Sequence, residues 1–137
     1  MKITVNKLDK EKHFEAENET GGIIRMDGST SVGGLEGGLS PMQLLLAGIG
    51  GCSAIDIVGI LEKQRQDLQD LTVEVNGDRQ DVATYSEFKT IHLKFIFKGD
   101  LEPKKVERAI QLSLDKYCSV SKTLENVSEI THSYQII

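Results

Sequence analysis

Between Ser40 and Leu61 runs an apolar segment, SPMQLLLAGIGGCSAIDIVGIL, whose only charged residue is Asp56 and which the rest of the chain has to accommodate. Its start is marked three times over: Ser40 suits an N-cap, Pro41 the first helical position, and Gln43 completes a Ser-x-x-Gln capping box. From Leu44 onward the helix is apolar almost all round, which predicts an element buried on every side and a fold that wraps it. It emerges into solvent at Glu62-Lys63-Gln64-Arg65-Gln66 and is expected to end between Asp67 and Asp70. Three- and four-residue spacing puts Leu45, Gly48, Ile49, Cys52, Ile55, Asp56 and Gly59 on one face. Glycine costs about 1 kcal/mol relative to alanine inside a helix, so Gly48, Gly50, Gly51 and Gly59 point to close packing near Cys52.

A chain of 137 residues with ordinary aliphatic and charge content fits one domain spanning residues 1–137. The formal charge of −5 and the lack of a Lys/Arg cluster argue against nucleic acid as a partner, and acidic partners are disfavoured too. Met1-Lys2-Ile3-Thr4-Val5-Asn6-Lys7 has no apolar signal core or cleavage site, so the expected location is the cytoplasm. The apolar segment is read as a core helix, not a membrane span: it is short, carries Asp56 near its middle and lacks charged residues on its N-terminal flank. Two cysteines distant in sequence, in a reducing compartment, are either buried small hydrophobes or redox-active groups; a structural disulfide is not expected.

The flanking sequence alternates in ways that predict strands. Ile3 and Val5, then Phe14 and Ala16, form a hairpin around Asp9-Lys10-Glu11-Lys12, and Ile23-Ile24-Arg25-Met26 follows the Gly21-Gly22 turn. From Gly28 to Leu39 five glycines and little apolar content make a loop. Leu71 to Gly77 and Thr90 to Gly99 alternate again, with Ile91, Leu93, Phe95 and Phe97 on one face, and pair through a polar connection around Arg79 to Ser86. A second helix begins near Pro103; Val106, Ile110, Leu114 and Cys118 recur every fourth residue, so Cys118 ends its apolar stripe. Ser119 to Glu125 adds a short helical turn, and Ile130 to Ile137 a last strand. The fold class is α+β.

Chemistry centres on the thiols. A cysteine on a buried helix is inert unless a positive charge and access activate it, and the neighbouring carboxylate of Asp56 works against thiolate charge. Arg25 is the only arginine before the central helix. His13, His92 and His132 are scattered without ligand spacing, so no metal is expected. The glycine loop leads to a helix N-terminus but has neither a Walker lysine nor a dinucleotide fingerprint, so no cofactor is expected either.

Ser40-Pro41-Met42-Gln43-Leu44-Leu45 leading into Gly50-Gly51-Cys52-Ser53, together with Tyr117-Cys118-Ser119-Val120-Ser121-Lys122-Thr123-Leu124, resembles the OsmC/Ohr family of osmotically inducible and organic hydroperoxide resistance proteins. The order of elements is similar along nearly the whole chain, and Gly-Gly-Cys-Ser-Ala-Ile-Asp resembles the OsmC-like branch in particular. The resemblance implies a thiol peroxidase: Cys52 attacks the O–O bond of an organic hydroperoxide, becomes a sulfenic acid and is captured by Cys118 as a disulfide, which an external dithiol reduces. It also implies an intertwined homodimer with the cysteine site at the subunit interface. Family peroxidases use an arginine from the preceding segment, matched loosely by Arg25, and a glutamate after the loop proline, where this chain has Met42. The departure at Met42 motivates an alternative, an OsmC-like protein of weak or absent peroxidase activity that binds a small apolar molecule.

Overall fold

The structure, a computed structural model, describes all residues from Met1 to Ile137. It is α+β, with two compact units, Met1–Leu45 and Leu46–Ile137.

In the first unit, β1 (Ile3–Lys7), β2 (His13–Asn18) and β3 (Ile23–Asp27) form an antiparallel meander in the order β1-β2-β3. The register aligns Val5, Ala16 and Ile24 across the three strands, so alternation places these apolar residues on one face. The loop after β3 contains a 3₁₀ turn at Thr30–Val32 and is tied back by Asp27, whose buried carboxylate accepts the amides of Gly37 (3.0 Å) and Leu35 (3.2 Å). The Gly37 amide foremost, with those of Leu35 and Gly28 and the nearby His13, holds the Asp27 carboxyl below the usual carboxylate range against the opposing effect of burial.

The capping box at the start of α1 (Pro41–Lys63) is formed reciprocally: Gln43 N–H donates to Ser40 Oγ at 3.2 Å, and Ser40 N–H donates to Gln43 Oε1 at 2.9 Å. The far end differs from expectation. α1 stops at Lys63, because Arg65 takes a left-handed φ of 55° and closes a Schellman cap, with Gln66 N–H bonded to Leu61 O and Arg65 N–H to Glu62 O. Such a cap carries glycine in most helices, and an arginine there gives no sequence signal.

In the second unit β4 (Asp67–Val82) and β5 (Tyr85–Asp100) make a long antiparallel hairpin, and β6 (Glu129–Ile136) joins β5 in parallel, giving the order β4-β5-β6. The stretch expected as a polar connection, Arg79 to Ser86, is mostly strand; only Ala83 and Thr84 turn, with Ala83 at φ 52°. Ile91, Leu93, Phe95 and Phe97 of β5 are buried on one face of the sheet, as the alternation predicts, and Phe88 is buried beyond the register shift at Asp78/Arg79. Between β5 and β6 come α2 (Pro103–Leu112), one π-helical turn (Ser113–Tyr117) and α3 (Ser119–Leu124).

α1 is not wrapped on all sides within the chain. Ile49, Ser53, Ile57 and Leu61, spaced every fourth residue, are buried together with Gly50, whereas Ile55 is 76% exposed. The buried stripe, not the whole circumference, faces the core, and of the grouped face Leu45 to Gly59 only Ile49 belongs to it. Close approach is confined to Gly50, where a Cβ would lie 2.9 Å from Val75 Cγ2; Gly51 and Gly59 have open space. At 23 residues, α1 is long and apolar enough to cross a membrane, although the sequence reading took its apolar run as short for one. Its buried stripe is instead spent on packing within this chain.

Gly99 sits where β4 bulges between Leu68 and Asp70, with φ 143°, and a Cβ there would come 2.0 Å from the carbonyl oxygen of Asp67. Backbone cannot retreat as a side chain can. Gly99→Ala is therefore expected to lower stability by about 1–3 kcal/mol, read as a fall in the urea midpoint with an unchanged slope. An unaltered midpoint would show that the bulge rearranges freely.

Candidate active site

Cys52 lies on α1, half-buried, one turn before Asp56. Cys118 is fully buried, but the structure does not place it on the second helix, as the four-residue stripe implied. α2 ends at Leu112, the π-helical turn follows, and Cys118 is the N-cap of α3 with an extended backbone (φ −70°, ψ 101°). The amide of Cys118 donates to Ser113 O at 2.7 Å, closing the π turn. Five-residue hydrogen bonding advances the chain slightly less per residue than an α-helix, so Val106, Ile110, Leu114 and Cys118 all still reach the core although the helix has been interrupted.

The two thiols, both free, and the Asp56 carboxylate converge: Cys52 Sγ, Cys118 Sγ and an Asp56 oxygen all lie within 4.8 Å of one another. Each neighbour is held from behind. Ser121 N–H donates to Cys118 Sγ at 3.3 Å, and Ser121 Oγ donates to Leu114 O at 3.2 Å, fixing the start of α3 on the π turn. Ser113 Oγ lies 3.1 Å from Asp56 Oδ2 and 3.4 Å from Ser53 O, so its single hydroxyl proton favours the carboxylate. Ser113 is the residue that sequence reading missed; it is a buried serine in an apolar stripe, and only its unexplained polarity could have signalled it.

Burial is the main reason that the Cys118 thiol is pushed up to about 11, partly countered by the Ser121 amide; its hydrogen bond with Cys52 and the charges of Cys52 and Asp56 raise it further. The electrostatics thus keep the proton on the inner sulfur. A groove of about 680 Å³ opens beside the cluster, lined by Ile55, Asp56, Gly59, Leu112 and Tyr117 among others. It reaches Asp56; the sulfurs do not line it.

Arg25 belongs to the first unit, on the polar face of β3, where Nε lies 3.4 Å from Glu15 Oε2 of the adjacent strand. Met42 is half-buried in the first turn of α1. Of the histidines, His13 lies beside Asp9 at 3.2 Å, and His92 is hydrogen-bonded to Thr131 and Ser133 across the parallel pair β5–β6.

A two-unit α+β chain with a pair of adjacent free thiols, one on a long helix and one at the start of a short helix, defines a dithiol protein. More specifically, the chain belongs to the OsmC-like family, whose sequence profile, described as "OsmC-like protein", matches residues 33–133. It is 43% identical over 125 residues to Protein YhfA of Escherichia coli K12, covering 90% of each chain. A hypothetical protein from Aquifex aeolicus has a similar structure, with a TM-score of 0.84, 31% identity and coverage of 99% of this chain and 95% of that one. An organic hydroperoxide resistance protein OsmC from Legionella pneumophila, also described as a predicted redox protein, shares the fold, with a TM-score of 0.74 at 16% identity over 98% and 97% of the two chains.

Proposed function

We propose that this protein is a dithiol-dependent peroxidase that reduces organic hydroperoxides in the cytoplasm, with its two units working as one OsmC-like domain in a homodimer. The observation that carries the reading is the approach of two unoxidised sulfurs to within 4.8 Å, one half-buried and one fully buried. Cys52, the more accessible, is the group a hydroperoxide meets first. Its thiolate attacks the terminal peroxide oxygen, the O–O bond breaks, the organic alkoxide leaves as the alcohol, and Cys52 becomes a sulfenic acid. Cys118 then attacks the Cys52 sulfur, forming the disulfide and releasing water, and an external dithiol restores both thiols as it is itself oxidised. No cofactor or metal enters this cycle. Arg25 takes part as the activating cation only if its guanidinium leaves Glu15 for Cys52.

Purified protein should consume an organic hydroperoxide with a dithiol as reductant, and Cys52→Ser should lose that activity. Equal rates in the two proteins would end the proposal.

A second reading is favoured by the groove beside Asp56, whose apolar walls, Ile55, Leu112 and Tyr117, suit a small apolar molecule. Under that reading the protein is an OsmC-like binding protein with weak peroxidase activity. Slow consumption of hydroperoxide by wild type in the same assay would favour it.

A further inference from the structure

We propose that Cys52, Cys118 and Asp56 form a binding site for one zinc ion. Three donor atoms, two sulfurs and a carboxylate oxygen, already lie within 4.8 Å of one another. In a tetrahedral site with Zn–S bonds of about 2.3 Å, two sulfurs stand roughly 3.8 Å apart. The two sulfurs therefore need to approach each other by about 1 Å or less to hold the ion. Cys52 and Asp56 present their donors from one side of α1, one turn apart, and Cys118 closes from the start of α3. The fourth position is left for water.

The supporting residues are those a metal site needs. Ligands bind well when their remaining acceptor capacity is oriented by hydrogen bonds from behind. Here Ser113 Oγ donates to Asp56 Oδ2 at 3.1 Å, and Ser121 N–H donates to Cys118 Sγ at 3.3 Å. The donor set also selects the ion: two thiolates with one carboxylate suit zinc, whereas magnesium and calcium favour oxygen alone. Sequence reading sought ligand spacing among the histidines and found none; the π turn is what brings a distant cysteine to the Cys52–Asp56 pair.

Zinc and the disulfide compete for the same sulfur electron pairs, so zinc binds only the reduced protein. The zinc site stands on geometry independent of the peroxidase reading, and it is tested by a binding signal that turnover does not enter.

Reduced protein is titrated with Co(II), a spectroscopic substitute for zinc, and then with Zn(II). The expected result is one equivalent of Co(II) giving a thiolate-to-cobalt charge-transfer band with tetrahedral visible bands, all removed by one equivalent of Zn(II). Ser113→Ala should weaken zinc binding about 10–100-fold, and Cys52→Ser, Cys118→Ser or Asp56→Asn by at least as much, with the charge-transfer intensity reduced in the two cysteine variants. Protein oxidised to the disulfide should give no band. Absence of the band in reduced wild type would overturn the proposal, as would zinc affinity unchanged in the variant carrying both Cys52→Ser and Cys118→Ser.

Discussion

Cys118→Ser should stop peroxide turnover after a single round and leave a sulfenic acid on Cys52 that a dimedone-type reagent captures. Wild type treated with one equivalent of hydroperoxide should lose both free thiols to an intramolecular disulfide. The two sulfurs lie within 4.8 Å of one another and have to close to about 2 Å with a Cα–Cα span below about 7 Å for the bond to form. The pH dependence follows from the inner thiol. Its titration is pushed up to about 11, so little of it is thiolate at neutrality, and disulfide formation should accelerate as pH rises towards that value. Oxidation of Cys52 removes the anionic neighbour and its hydrogen bond, two of the causes that raise Cys118, while burial, the largest, persists. Resolution in the sulfenic state should therefore run faster at a given pH than alkylation of Cys118 in the reduced protein. Stopped-flow tracking of both reactions across pH checks the order, and a flat profile for resolution would remove Cys118 from the proposed role. Turnover by Cys118→Ser equal to that of wild type would do the same.

The second large effect concerns assembly. Within one chain Ile55 is 76% exposed and Tyr117 is 51% exposed, on the rim of the groove beside Asp56. An apolar helix left open in this way is an unfavourable surface in water, and obligate dimers cover such faces with more than about 2,000 Å² of buried area. Sedimentation at low micromolar concentration should show one species of twice the 15.1 kDa chain mass. Ile55→Lys should convert it to monomer, raising the dissociation constant by at least about 100-fold, since an unpaired charge cannot be buried without a cost of several kcal/mol. The protomer itself should stay folded, because Ile55 contributes nothing to its buried core. A wild-type monomer, or a variant dimer of equal strength, would remove the proposed interface.

The residues differ in how much they disclosed before the structure. Ser40, Pro41 and Gln43 act locally, through contacts within four residues, and α1 begins where they indicate. Period-two alternation likewise identified β5, because a sheet with one buried face imposes it directly. Elements governed by distant partners were hidden. The long hairpin absorbs the polar residues 79–81 because pairing with β5 extends the strand beyond its apolar part. The end of α1 depends on Arg65 adopting a conformation its residue type rarely takes. At the site, the two cysteines were legible as a pair through family resemblance, whereas the intervening π turn and the grip of Ser113 on Asp56 arise only from packing.

β4 is an edge strand of its sheet and is 16 residues long. An edge of that length is a template on which another molecule's strand can add, the first step towards ordered aggregates. Asp67, Asp70, Glu74, Asp78 and Asp81 are distributed along it, with Arg79 as its sole cation. A second copy approaching the same edge meets this row of like charge before any backbone hydrogen bond can form. Much of the chain's acidic excess thus serves colloidal protection, and acidification, by neutralising the row, removes the barrier that keeps these edges apart.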